Sequence, residues 1–242
     1  MKRLVSLVPI VILAAAAAAA AQTVEIRPEK ITYTRPEPLM EHKSTFTINH
    51  PRVTAATPAV SARINGLLSY EKAFDFTIEE EKTELQWLEE ADFEVNYNAN
   101  GILSIELRIE GTAAYPDQVV KRLNIDTTRG IRLFPKDVFR NLPTLAARIK
   151  RMQTAEIAAA KRAMRNDPDA QDLDPNEMFA RANFRTAELN AFQITDRGVV
   201  FYYNYGFPHV VKALQPDGVY MLSWREIRPF IKPGSLLAKA AR

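Results

Sequence analysis

The chain has 242 residues, with 32 basic and 29 acidic side chains, three histidines and no cysteine, for a formal net charge of +3. The missing thiols exclude disulfides, a lipoprotein anchor and thiolate metal sites, and this length can bury a core that stands without cross-links. Removing Lys2 and Arg3 with an N-terminal leader leaves 30 basic residues against 29 acidic ones. That balance argues against a nucleic-acid partner, which calls for a marked basic excess.

Met1-Lys2-Arg3 is basic, Leu4 to Leu13 is apolar, and Ala14 to Ala21 offers small residues for a signal peptidase. The layout predicts a secretory signal peptide over residues 1–21, cleaved after Ala21, so that Gln22 starts an exported domain, periplasmic or extracellular. An uncleaved membrane anchor is the other reading, but the apolar run is much shorter than the ~20 residues of a spanning helix. No membrane span is expected after cleavage.

From Gln22 to Glu41, Pro28, Pro36 and Pro38 favour an extended lead-in. Thr45 to Asn49 alternates as a strand ending at His50-Pro51, and Thr57-Pro58 reads as an N-cap opening a helix to about Tyr70. Eight of the residues from Glu79 to Glu94 are acidic, which reads either as a solvated face or as a site for a cation or basic protein. Phe93, Val95 and Tyr97, the turn Ala99-Asn100-Gly101, and then Leu103, Ile105, Leu107 and Ile109 predict a hairpin with one buried and one wet face.

A third strand is expected over Val119 to Asp126, then a turn at Thr128-Arg129-Gly130 and a short helix near Pro135 to Phe139. Leu142 to Arg165 shows the longest helical period. Leu145, Ile149, Met152, Ile157, Ala160 and Met164 share one side, opposite a basic side carrying Arg148, Lys150, Arg151, Lys161, Arg162 and Arg165. A short helix is expected over Asn176 to Arg185. Phe192 and Ile194 lead through Thr195-Asp196-Arg197-Gly198 into an aromatic strand at Val199 to Asn204. Ser223 and Glu226 fit a capping box, and Leu236 to Arg242 reads as a tail.

The expected fold is therefore α+β: an antiparallel sheet of hairpins with helices packed against it, in one compact exported domain. Residues 22–140 form its N-terminal α+β part, 141–190 a helical segment, and 191–242 a C-terminal strand pair with a capped helix.

Several of these segments, in this order, resemble one known family. They are the strand running to His50-Pro51, Ile64-Asn65, Gly101 to Ile105, Asn124 to Gly130, Leu133, Asp137-Val138-Phe139, Phe192 to Phe201, Tyr205, and Tyr220 to Ile231. Together they resemble the RsiV/PdaC-type extracellular domain, a domain of unknown function in most of its members. The resemblance implies an α+β domain, and its best understood role, in RsiV, is lysozyme binding. RsiV-type proteins carry a cytoplasmic sigma-binding segment, whereas three residues precede the apolar run here, so signalling by that route is not expected. A PdaC-type deacetylase domain is not expected either. Relatives carry a Gly-Ala-His-Pro-like segment where this sequence has Ala113-Ala114-Tyr115-Pro116.

Catalytic machinery is not singled out. His42, His50 and His209 form no HxH, HxxxH or HExxH pattern, and there is no GxSxG elbow or phosphate-binding glycine loop. No catalytic, cofactor or metal residues are assigned. The tentative partner-binding residues are Tyr205, Phe207, Pro208 and His209, where two rings, a rigid proline and an imidazole share a loop; the other reading is that the two rings close the core. The function read from this is an exported non-catalytic binding module for an envelope protein, lysozyme-like by the resemblance, or for peptidoglycan. One alternative is a cell-wall polymer hydrolase or esterase using carboxylates or His209. Another is a structural envelope protein that self-associates through its acidic segment and basic helix.

Overall fold

The computed structural model describes residues 23–241, so the expected signal peptide lies outside the described residues. Strands β1 (Glu25–Thr34), β2 (Thr45–Thr54), β3 (Leu88–Ala99), β4 (Ile102–Thr112), β5 (Pro116–Asp126) and β6 (Ile131–Arg132) form one sheet in sequential order. Strands β7 (Phe192–Thr195), β8 (Gly198–Tyr202) and β9 (Val219–Ser223) form a second, antiparallel one. The helices are α1 (Pro58–Leu67), α2 (Tyr70–Phe74), α3 (Ile78–Thr83), α4 (Pro135–Val138), α5 (Leu142–Arg165), α6 (Pro175–Met178), α7 (Trp224–Ile227) and α8 (Leu236–Ala240). The whole is a single α+β domain. Among the described residues no helix is long and apolar enough to cross a membrane.

The six-stranded sheet is mixed rather than purely antiparallel. Between β2 and β3, Thr47 pairs with Glu90 and Ile48 with Ala91 in parallel, because α1, α2 and α3 carry the chain back to the same end of the sheet. Arg35 pins that crossover. Its side chain is fully buried and donates to the carbonyls of Lys43 (2.9 Å), Thr45 (3.2 Å), Glu81 (2.9 Å) and Leu88 (2.6 Å). The Glu81 carboxylate stands 3.5 Å away as counter-ion and accepts the Leu88 N–H at 2.9 Å. The acidic segment is thus not simply a solvated face: its first part is α3, capped by Thr77 and Glu80, and Glu81 faces inward.

Several expected boundaries move for identifiable reasons. The lead-in is strand β1, and β2 runs through His50-Pro51 to Thr54, with Pro28 opposite Pro51. Both prolines are tolerated there, since β1 is an edge and β2 has already left β3 by Pro51. The predicted helix from Pro58 breaks after Leu67 and restarts as α2. In β3 a register shift between Val95 and Tyr97 carries Tyr97 off the Phe93 face, so it packs with Ile102 in the second core. The turn itself is as expected, with Asn100 (φ 55) and Gly101 (φ 79) both left-handed. The helix expected over Asn176 to Arg185 is only the four residues of α6. The expected tail is α8, and its Leu237 is buried against the core. Helix α5 spans Leu142–Arg165 as read from the sequence.

Two main cores result. Leu103, Ile105, Leu107, Leu123 and Ile125 pack under Val60, Ile64 and Tyr70 of α1 and α2. The other gathers Leu145 and Ile149 of α5 with Phe192, Ile194, Val199, Phe201, Tyr220 and Leu222 of the small sheet. Replacing Arg35 with leucine strands Glu81 and four carbonyls in the interior, so the unfolding free energy in urea should fall by about 3–5 kcal/mol. Arg52→Leu, which breaks only an exposed pair with Glu29, should cost less than about 1 kcal/mol. Equal losses would contradict this account of the crossover.

Candidate functional site

The four loop residues singled out in the sequence divide into two pairs. Tyr205 and Phe207 turn inward. Tyr205 meets Phe179 edge-on at 5.4 Å, and its hydroxyl lies 2.6 Å from Glu156 Oε2 and 2.8 Å from the Tyr220 hydroxyl. Tyr220 donates to the same carboxylate oxygen at 2.6 Å, and the Gly218 N–H reaches Glu156 Oε1 at 3.1 Å. Burial first, and hydrogen bonding to Glu156 second, push both phenols well above the ordinary tyrosine range. Phe207 packs on Phe179 at 5.1 Å in a small core with Met164 and Ala170. These two rings fill the space between the loop, α5 and α6.

Pro208 and His209 turn outward, and His209 meets a residue far away in the chain. Its ring stacks on Tyr115 at 4.4 Å with 23° between the planes. Tyr115 sits at the tip of the β4–β5 hairpin and is 57% exposed, and the neighbouring Val210 is 83% exposed. Beside the ring pair, Lys212 Nζ reaches Asp117 at 2.7 Å, which holds that carboxyl below its usual range. An open groove of about 320 Å³ follows, lined by Glu89, Glu110, Asp117, Gln118 and Lys212. Gln118 donates to Glu110 across it at 2.6 Å.

Gly111 fixes one wall of this groove. A Cβ there would fall 2.2 Å from the Trp87 carbonyl oxygen, and Thr112 N–H bonds that same oxygen at 3.1 Å. Only glycine lets the Trp87 segment close over the end of β4. The finished surface is an exposed aromatic pair above a row of carboxylate, amide and ammonium groups. Such a surface can stack on an apolar ligand face while donating to and accepting from hydroxyls and amides.

Sequence reasoning noticed Tyr115 and His209 separately and did not join them. Glu89 was seen only as part of the acidic segment, and Glu110, Asp117, Gln118 and Lys212 were missed, because no spacing links Asp117 to Lys212 across 95 positions. His42 lies in the β1–β2 turn, and His50 sits within β2 against Tyr70, where burial lowers its pKa. Among the described residues, no three His, Asp or Glu side chains are grouped to hold a metal ion.

No family model matches the chain, and no curated protein matches it. Its fold does match solved structures. A DUF3298 family member from Bacteroides fragilis aligns over 91% of this chain and 98% of its own, with TM-score 0.51 and 13% identity. A DUF3298 family protein from Pseudomonas aeruginosa PAO1 aligns over 87% of this chain and 94% of its own, with TM-score 0.53 and 15% identity. The likeness establishes the fold shared with a domain of unknown function. At such identity it transfers no site.

The inward and outward pairs should behave differently on substitution. Phe207→Ala should lower the unfolding free energy by about 3–5 kcal/mol, and Tyr205→Phe by about 1 kcal/mol. His209→Ala should stay within about 0.5 kcal/mol of the parent, as an exposed position does. Urea denaturation of the three variants checks the division, and a large loss in His209→Ala would refute it.

Proposed function

We propose that the chain is an exported, non-catalytic binding module of the RsiV/PdaC type that recognises a component of the cell envelope. A peptidoglycan-type glycan is the ligand that fits the surface best. The observation that carries this reading is the Tyr115–His209 stack beside the groove of Glu89, Glu110, Asp117, Gln118 and Lys212. Sugar rings offer a C–H face to an aromatic plane and hydroxyls to carboxylates and amides, and this surface presents both. The basic and apolar start of the sequence supports export, which would bring the surface to the envelope. A lysozyme-like protein is the second reading, favoured by Val210, whose apolar side chain extends the same surface into solvent.

Sedimentation with purified peptidoglycan, with immobilised lysozyme in parallel, tests both readings. The parent protein should be retained on peptidoglycan and release no soluble fragments from it. Tyr115→Ala and His209→Ala should each weaken retention about three- to tenfold, the worth of one aromatic stacking contact, while Tyr205→Phe should not. Retention on lysozyme alone would assign the second reading. Retention on neither would overturn the proposal, as would turnover of the glycan.

A further inference from the structure

A second surface lies away from the Tyr115–His209 groove, along the outer edge of β5. Strand β6 covers only Ile125 and Asp126 of β5, with Leu133 N–H adding one bond to the Asn124 carbonyl. In an antiparallel ladder the groups facing one neighbour recur at every second residue. Since Asn124 faces outward, so do Arg122, Val120 and Gln118, whose pairs on β4 are Glu106, Arg108 and Glu110. Among the described residues the N–H and C=O groups of Val120 and Arg122 have no partner, whereas the Gln118 N–H is bonded to the Asp117 carboxylate. This is an open sheet edge several residues long.

The edge is not a bare rim. It forms the floor of a cleft of about 540 Å³, with Leu67, Lys72 and Ala73 of α1 and α2 on one side and Asn190 and Ala191 on the other. Lys121 and Arg132 belong to the side of the helices, since Lys121 alternates in register with Leu123 and Arg132 pairs with Ile125. Lys72, Lys121 and Arg132 have no carboxylate partner among the described residues, and no carboxylate lines the cleft. Arg132 is half-buried, and loss of solvent lowers its pKa with no anion to compensate. The other edge of the sheet differs. Strand β1 carries Pro28 in mid-strand and interleaves Glu25, Arg27, Glu29 and Lys30, which guards it against pairing.

We infer that the β5 edge is a docking site for an extended acidic peptide segment of another protein, which adds as a strand beside Val120–Leu123. The backbone of Val120 and Arg122 would supply the ladder, while Lys72, Lys121 and Arg132 would meet acidic side chains on the helix side. Strand addition draws its affinity from main-chain bonds and its selectivity from the flanking side chains. These three cations, of which Arg132 also stacks on the Phe134 ring at 5.1 Å, set that selectivity. The site is separate from the groove of the glycan reading, and neither depends on the other.

Panning the full-length protein with a phage-displayed library of random twelve-residue peptides tests this. Enriched sequences should carry acidic residues at alternating positions and lack proline within that stretch. A synthetic peptide of the consensus should bind at least tenfold more weakly to Val120→Pro, which removes an outward N–H without touching the β4 ladder. Lys121→Glu should weaken it similarly, and raised salt should weaken it in the parent. Circular dichroism and melting of both variants confirm that they fold, and Ile105→Pro, which removes an N–H bonded to β5 from the central strand β4, serves as an unfolding control. A consensus without acidic residues would overturn the inference, as would binding unchanged in Val120→Pro. Failure to enrich any peptide would mean that Lys121 only guards a solvated edge.

Discussion

The fold depends on how the small sheet ends against the large one. Strand β7 is an edge strand, and the groups it turns away from β8 are buried, so each needs a partner. Side chains from the face of the large sheet supply them. Asn124 Nδ2 donates to the Phe192 carbonyl at 2.8 Å, and the Ile194 N–H reaches Ser104 Oγ at 3.1 Å and Asn124 Oδ1 at 3.3 Å. Gln193 continues the seam, bonding Asn96 and accepting from the Tyr202 hydroxyl. These polar residues sit at the join of two apolar cores, where an unpaired amide would cost about 1–3 kcal/mol. They fix one orientation of β7, and through it the loop that carries His209 to Tyr115.

The molecule treats its strand edges in three ways. The β7 edge is closed by buried amide and hydroxyl groups, and the β1 edge is guarded by Pro28 and alternating charge. The β5 edge is left open in a cleft between the helices and the segment before β7. Arg35 and the Ser104–Asn124 pair act at opposite ends of this arrangement: the guanidinium holds the β2–β3 crossover, and the amide holds the docked sheet. Both are polar groups buried with full sets of partners, which is how a buried polar network specifies one arrangement. The exposed groups of the two proposed binding surfaces stand on the hairpin and the cleft that these elements form.

Much of this was legible in the sequence where the signal is local. The 3.6-residue period of Leu142–Arg165 gave α5 at both ends, and Asn100-Gly101 and Ser223/Glu226 marked their turn and cap. Where the decisive contact is distant, local pattern failed. The sequence shows Glu81 as one acid in a run, and only the fold reveals Arg35 beside it. The bulge that flips Tyr97, the inward turn of Phe207 and the docking of α8 all follow from tertiary packing, which period and propensity do not record. The candidate surface was half legible for the same reason. Tyr115 and His209 were each conspicuous, but only the fold brings them together, beside the Lys212–Asp117 pair.

The edge account is tested most directly by residue-resolved amide hydrogen exchange of the free protein. The Ile194 amide, bonded only by side chains of the other sheet, should exchange as slowly as the β4 core, near the global opening limit. The Val120 and Arg122 amides, outward on an open edge, should exchange orders of magnitude faster. Protection of Val120 and Arg122 equal to that of Ile194 would mean that the β5 edge is already closed, and fast exchange at Ile194 would mean that the two sheets are not locked together.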